Sequence, residues 1–375
     1  MAQGPNAGLI GAQDAVARLS TPCLLLEAEA LEDNLEAMME RVRRFGRQLR
    51  PHVKAHKCAA IGRRQLEAGA VGLCCATVRE AEVMAEAGLE GILVTSPVTA
   101  PAMIQRLARV RDGVSDLAVV VDSDVGVDAV AQGFSAEKPL GVLVEIDVGQ
   151  GRTGVTRPED AVHLARRAEG LPGLRYRGIQ AYYGHLQHVP AYADRKARAA
   201  EQWRRLQPFL DALSAEGLPP EIISGGGTGT HLLDLEDGPF TEIQPGSYLF
   251  MDKQYGAIEL VPDATPFRTS LTVATRVISA NQPDLVVLDA GFKAMATDAG
   301  PALVASGTSA DAAYQFMGDE HGGLRFGAGA ARPAIGDLVH LTAPHCDPTV
   351  NLHDWFHVMR DGRLVDIWPI DARGY

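Results

Sequence analysis

Lys54 lies in the stretch Arg50-Pro-His-Val-Lys-Ala-His-Lys57, where basic residues alternate with apolar ones. Read as a strand, the segment puts His52, Lys54 and His56 on one face, because side chains alternate sides along an extended chain. A lysine on an inward face is costly unless it is paired or reacts. A desolvated amine is also a nucleophile toward carbonyl carbon. The same stretch reads equally well as a strand whose lysines end at solvent. Ser224-Gly-Gly-Gly-Thr-Gly229 follows apolar Ile222 and Ile223. Its glycines let backbone N–H groups approach an anion such as a phosphate, and Thr228 adds a hydroxyl. A second turn, Pro245-Gly-Ser-Tyr248, is placed to complete that cradle; a flexible loop is the other reading.

Three further groups carry chemistry. Arg152 ends Asp147-Val-Gly-Gln-Gly-Arg152, and reads either as a residue at a barrel mouth or as a solvated turn. Gln180-Ala-Tyr-Tyr-Gly-His-Leu-Gln-His188 combines aromatics that stack on a ring with histidines that move protons; core tyrosine with surface histidine is the plainer alternative. In Pro344-His-Cys-Asp-Pro348, an extended backbone places His345 and Asp347 on one side, with Cys346 opposite. An imidazole and a carboxylate suit Mn²⁺, Mg²⁺ or Zn²⁺, whereas the bland reading is a polar turn.

The elements that must position these groups are legible as a pattern. Apolar runs near 23–27, 72–77, 91–95, 117–122, 141–147, 178–182 and 221–224 alternate with amphipathic stretches such as Ala30 to Phe45, whose Leu31, Leu35, Met38, Met39 and Val42 share a face. This alternation predicts an α/β fold with a parallel sheet buried on both sides, and its length suits a (β/α)8 TIM-type barrel. No Gly-x-Gly-x-x-Gly follows the first strand to favour a dinucleotide-binding open sheet. After about Gly256 the pattern becomes short strands and turns, with Asp361-Gly362 as a hairpin turn. The expected organisation is an N-terminal extension over residues 1–20, a barrel over 21–255, and a smaller mainly antiparallel β domain over 256–375.

Composition narrows the function classes. The 375 residues carry 35 Lys and Arg against 47 Asp and Glu, a net charge of −12. That balance disfavours nucleic acid and anionic membranes as partners. No run approaches the length of a membrane span, and the start lacks the pattern of a secretory signal. Five cysteines with no metal-ribbon spacing suit a reducing compartment, so a cytoplasmic protein is expected.

Taken jointly and in order, Pro51-His-Val-Lys-Ala-His-Lys57, Asp147-Val-Gly-Gln-Gly-Arg152, Ser224-Gly-Gly-Gly-Thr-Gly229 and His345-Cys-Asp-Pro-Thr349 resemble the D-threonine aldolase and 3-hydroxy-D-aspartate aldolase family of fold-type III pyridoxal-phosphate enzymes, with D-serine dehydratase more distant. The likeness runs from Thr21-Pro-Cys-Leu-Leu-Leu26 to Trp368-Pro-Ile-Asp-Ala-Arg-Gly374. It implies an alanine-racemase-like barrel, a following β domain, a homodimer, and a small D-3-hydroxy amino acid as substrate. It also implies roles. Lys54 carries pyridoxal 5'-phosphate covalently, Arg152 faces the ring nitrogen, and Tyr182 lies near the ring. Thr228, Gly246 and Ser247 hold the phosphate with Tyr248 adjacent, His345 and Asp347 ligate the divalent cation, and His188 is the base. Asp319-Glu-His-Gly322 matches a segment expected close to substrate.

Ala76 departs from the family pattern, which often has Gln there; Thr77 is the expected replacement. Dehydratases resembling this chain carry Cys where it has Asp347, which favours Mn²⁺ or Mg²⁺ over zinc. The implied reaction is cleavage to glycine and an aldehyde, by a carbon–carbon lyase of the D-threonine, D-allo-threonine or D-phenylserine type. Cleavage of 3-hydroxy-D-aspartate to glycine and glyoxylate, dehydration of D-serine or D-3-hydroxyaspartate, racemisation, and noncatalytic cofactor carriage are the alternatives. The β domain and the His345–Asp347 pair speak against a carrier.

Overall fold

A computed structural model describes residues 4–261 and 264–374. After β1 (Cys23–Glu27) come eight short strands: β2 (Gln48–Leu49), β3 (Leu73–Cys75), β4 (Ile92–Val94), β5 (Leu117–Val121), β6 (Leu140–Glu145), β7 (Leu174–Ala181), β8 (Ile222–Gly225) and β9 (Glu242–Ile243). They form one parallel sheet in the order β2-β9-β8-β7-β6-β5-β4-β3. Its ends meet. The Val71 and Cys74 amides donate to the Leu49 and Pro51 carbonyls at 2.9 Å, and His52 bridges Cys74 in parallel register. The sheet is thus a closed (β/α)8 barrel, as the alternation predicts.

The helices confirm the periodic reading with small shifts of their ends. The stretch predicted from Ala30 to Phe45 is helical over Ala28–Arg44 and buries Leu31, Met38, Met39 and Val42. Its last turn carries Arg41, Arg43 and Arg44, favourable to the negative end of the helix dipole. The barrel strands are buried almost throughout, and their side chains alternate between two clusters. Cys74, Leu93, Ala118, Val120, Leu143 and Ile222 pack together inside the barrel, while Leu73, Val94, Val119 and Val144 join the layer beneath the helices.

Further along the inward faces the filling turns polar. Arg50 Nε donates to Glu242 Oε1 at 2.8 Å, Ser224 Oγ donates to the same oxygen at 2.7 Å, and Gln244 Nε2 donates to Ser224 Oγ at 2.8 Å. Gln244 also donates to Gln180 Oε1 at 3.0 Å. Arg50 and Glu242 have side chains only 6% and 1% exposed. Removing one member of such a pair strands the other charge in a dry interior. Glu242→Ala is expected to lower unfolding free energy by about 3–5 kcal/mol, measured by urea denaturation. A midpoint unchanged from wild type would contradict this.

The second sheet has nine strands. They are β1 with β10 (Leu271–Ser279), β11 (Leu285–Leu288), β12 (Leu303–Ser306), β13 (Ala313–Phe316), β14 (Gly322–Arg325), β15 (Leu338–Thr342), β16 (Trp355–Arg360) and β17 (Arg363–Pro369). All pairings are antiparallel except β1 with β16. Asp361 and Gly362 both have positive φ, 49° and 70°, the conformation of a type I′ hairpin between β16 and β17.

One expectation is corrected. The apolar run at Cys23–Glu27, read as the first strand of the alternating series, is not in the barrel. It joins the second sheet between β10 and β16, which ties the two ends of the chain together. Residues ahead of it pack on that sheet: Leu9, Ala15 and Leu19 bury against Cys23, Leu25, Leu364 and Ile367. Strands β12, β13 and β14 were not anticipated. Among the described residues, no helix is long and apolar enough to cross a membrane.

Candidate active site

The segment carrying Lys54 is not a strand. β2 ends at Leu49, and Val53–Ala55 forms a 3-10 turn. The alternation argument therefore holds in part. His52 and Lys54 line one cavity of about 70 Å³ together with Thr95, Arg152, Gln180, Tyr182 and Gln244. His56 does not line it. It is fully buried behind the turn, where its Nε2 meets Gln65 Oε1 at 3.2 Å and its Nδ1 accepts from the Cys58 amide at 3.1 Å. Lys57 likewise turns away, to Glu80 at 3.1 Å.

Lys54 is the only lysine lining the cavity among the described residues. Its Nζ donates to Asp347 Oδ2, and Ser247 Oγ donates to Asp347 Oδ1 at 3.0 Å. Burial opposes the charge on Lys54, but the adjacent carboxylate outweighs it and holds the ammonium's pKa above its ordinary value. Burial opposes the charge on Asp347 as well, by raising its pKa, but Lys54 followed by His345 outweighs it and keeps the carboxyl well below the usual range. His52 is pushed well below the usual imidazole value by burial and then by Lys54. It is a neutral imidazole, and its Nε2 meets Thr95 Oγ1 at 3.1 Å.

One glycine turn stands against the segment that carries the lysine, and a second is tied to the first. Gly226 has φ +66°, and a Cβ there would lie 2.5 Å from the Asp234 carboxylate. A Cβ on Gly246 would lie 2.9 Å from the His52 carbonyl oxygen. Both positions therefore need glycine for the backbone to come this close. The turns are tied together, because the Tyr248 amide donates to Thr228 Oγ1 at 3.1 Å. Tyr248 contributes this amide only. Its side chain is fully buried away from the cavity against Phe267, with the hydroxyl near Gln65.

Arg152 stands at the mouth, 53% exposed, with its guanidinium 5.7 Å from the Tyr182 ring centre and 4.0 Å from Glu145. Glu145 is buried and, among the described residues, its Oε2 has no hydrogen-bond partner. Thr77, the residue expected to replace the family's Gln, does not line the cavity. Thr77 Oγ1 accepts from the Glu80 amide at 3.2 Å and caps the helix Val78–Glu86. Gln180 and Gln244 supply side-chain amides to the same cavity instead. Neither was named as a site residue from the sequence, although Gln180 opens the motif that ends at His188.

His345, Asp347 and His188 close the other side. His345 precedes the short helix Cys346–Val350, so Asp347 sits in a first helical turn and not two residues along a strand. The extended geometry assumed from the sequence is absent, and Cys346 Sγ lies 3.3 Å from Asp347 Oδ1 instead of facing away from it. His345 Nδ1 meets Asp298 Oδ2 at 2.6 Å. Opposite a carboxylate this nitrogen is the donor, which leaves Nε2 with its lone pair available. The His188 ring lies 6.1 Å from that of His345 and 4.5 Å from that of Tyr255. Its Nε2 is buried with no hydrogen-bond partner among the described residues, and burial followed by His345 lowers its pKa. Among the described residues, no three His, Cys, Asp or Glu side chains stand together as a metal-binding group. Asp319 and Glu320 are exposed on the turn between β13 and β14, at 3.8 and 2.6 Å from Lys293, and do not line the cavity.

Both parts of the chain resemble known proteins. The family described as "Alanine racemase, N-terminal domain" matches residues 26–254, and that described as "Putative serine dehydratase domain" matches residues 270–359. The chain is 40% identical to a 3-hydroxy-D-aspartate aldolase of Paracoccus denitrificans (strain Pd 1222), over 95% of this chain and 92% of the relative. It is also 40% identical to a D-threonine aldolase of Arthrobacter sp., over 96% and 95%. The crystal structure of D-threonine aldolase from Filomicrobium marinum superposes with a TM-score of 0.91 at 36% identity, covering 96% of each chain. The likeness thus runs over nearly the whole length of the chain, through barrel and β domain alike, and the chain belongs to the D-threonine aldolase and 3-hydroxy-D-aspartate aldolase family.

Proposed function

We propose that the protein is a pyridoxal-phosphate- and divalent-cation-dependent carbon–carbon lyase that cleaves D-3-hydroxy amino acids to glycine and an aldehyde. The observation that carries this reading is the convergence of Lys54, Ser247 and Asp347 on one set of hydrogen bonds. A barrel amine, a glycine-turn hydroxyl and a carboxylate of the β domain meet there. The residues suit the cofactor. Gly226 and Gly246 let the backbones of their turns pack where a Cβ would meet the Asp234 carboxylate or the His52 carbonyl, and Lys54 is an amine that can bond its aldehyde. Thr228, Gly246 and Ser247 would hold the phosphate, Arg152 would face the ring nitrogen and Tyr182 the ring. When bound, pyridoxal phosphate supplies an electron sink for the pair left at Cα as the Cα–Cβ bond breaks.

The chain's own groups do the rest. His345 Nε2 and Asp347 offer one imidazole and one hard oxygen, a donor set suited to Mn²⁺ or Mg²⁺ with water and substrate completing the shell. Asp298 fixes the His345 ring through Nδ1. His188, kept neutral by burial and with a free Nε2, accepts the proton of the substrate hydroxyl. The barrel would hold the cofactor and the β domain the cation, while Leu9, Ala15 and Leu19 brace the β domain. All five cysteines are unpaired and buried, which supports a reducing, cytoplasmic setting. The working form in this reading is a homodimer without nucleic acid or membrane partners.

The test is product analysis with D-threonine, D-allo-threonine, D-phenylserine and 3-hydroxy-D-aspartate, with and without Mn²⁺. Glycine and the matching aldehyde are expected, with 3-hydroxy-D-aspartate giving glyoxylate. Ammonia and an oxo acid in their place would make the protein a dehydratase.

A further inference from the structure

We propose that Asp347 is shared between two mutually exclusive cations, the Lys54 ammonium and the divalent ion, so that attachment of pyridoxal phosphate to Lys54 opens the cation site and the cation in turn favours attachment. This rests on the reading of Lys54 as the cofactor lysine and of His345 and Asp347 as cation ligands. It adds a thermodynamic coupling between the two sites.

Both oxygens of Asp347 are engaged. Lys54 Nζ donates to Oδ2 and Ser247 Oγ to Oδ1. The Asp347 side chain is 11% exposed and that of Lys54 41%, so water reaches the amine but screens the carboxylate little. A divalent ion on Oδ2 would stand against an ammonium that already occupies that oxygen. The two cannot both bind it, and like charges in a poorly screened site repel strongly. His345 is not blocked in this way, because its contact to Asp298 is through Nδ1. The obstruction therefore lies on the carboxylate half of the site.

Attachment changes the nitrogen. Nζ forms a double bond to the aldehyde carbon of pyridoxal phosphate. The aldehyde oxygen leaves as water, with two of the three ammonium hydrogens. The third stays on the nitrogen, whose charge is then balanced by the cofactor's own phenolate. Lys54 no longer serves Asp347 as a partner. A buried carboxylate stripped of its counter-charge is costly, and the divalent ion supplies the replacement. By linkage, whatever factor the cofactor contributes to cation affinity, the cation returns to cofactor affinity.

The experiment titrates full-length protein with Mn²⁺, following the free ion by electron paramagnetic resonance, in cofactor-loaded and cofactor-stripped forms. Stripped wild type is expected to bind Mn²⁺ at least about tenfold more weakly than loaded wild type. Stripped Lys54→Met, which removes the charge, is expected to bind as tightly as loaded wild type. Lys54→Arg, which keeps a cation but cannot form the bond, is expected to stay weak. In the reverse titration, Mn²⁺ should tighten pyridoxal phosphate by the same factor. Equal Mn²⁺ affinity in the two wild-type forms, with His345→Ala weakening both, would overturn the sharing of Asp347 and leave the cation site standing. If His345→Ala leaves Mn²⁺ affinity of the loaded protein unchanged, the cation site itself is lost, and this proposal with it. The wild-type comparison needs no variant, so poor folding of a substituted chain does not blunt the test.

Discussion

Lys54→Ala is expected to purify without covalently attached pyridoxal phosphate and to lose cleavage activity by on the order of 10⁴-fold or more, the scale on which removing a covalent nucleophile acts. The expectation follows from geometry. Among the described residues, Lys54 is the only lysine that lines the cavity. The nearby Lys57 is committed to Glu80, so no second amine is placed to substitute. His52 is held neutral, and its Nε2 is spent on Thr95, so an imidazole does not replace the amine either. The glycine turns remain intact in the variant, and free pyridoxal phosphate should still bind, but reversibly. The measurement is the visible absorbance of the purified protein before and after gel filtration. A band that survives in Lys54→Ala at wild-type intensity would remove Lys54 from this role and place the reactive amine elsewhere.

How far such residues can be found without coordinates depends on what kind of signal they leave. The barrel helices are legible because burial on one face repeats every three to four residues, as at Leu31, Met38 and Val42. β1 misleads because Cys23-Leu-Leu-Leu26 is buried throughout. A continuous apolar run reports cover on both faces, and does not report which sheet provides the neighbours. β12 to β14 go unseen for the opposite reason. β12 is largely exposed and β14 begins with two glycines, so neither alternates apolar with polar. The turn at Val53–Ala55 defeats a period-two argument for His56, while His52 and Lys54 still meet in the cavity. Gln180 and Gln244 carry no periodic signal, since their place is set by hydrogen bonds to Ser224 and to each other across strands. Thr77 was legible. Thr77 followed three residues later by Glu80 is the start signal of a helix, and a capping hydroxyl already has its partner.

Asp347→Ala is expected to keep the cofactor and to lose cleavage by about 10³-fold, since a cation that polarises a reacting oxygen contributes several kcal/mol and each 1.36 kcal/mol is tenfold in rate. The two halves of this outcome have separate causes. Asp347 is what raises the Lys54 pKa against the effect of burial. Without it the amine loses its proton more readily, and a neutral amine is the form that attacks an aldehyde. Cofactor attachment should therefore be as complete as in wild type, or more so. The cation loses its hard oxygen, and His345 with its Asp298 brace cannot hold it alone. Wild-type protein treated with EDTA should lose activity to a similar extent and regain it with Mn²⁺, whereas Asp347→Ala should not respond to added Mn²⁺. Asp347→Cys should bind a thiophilic ion such as Zn²⁺ in preference to Mn²⁺, because thiolate is the softer donor. The paired measurement is the absorbance of the bound cofactor together with the initial rate of glycine formation. Full activity in either the EDTA-treated protein or Asp347→Ala would show that the carboxylate serves only as a counter-ion to Lys54, and the hydroxyl proton would then have to leave through His188 without a metal.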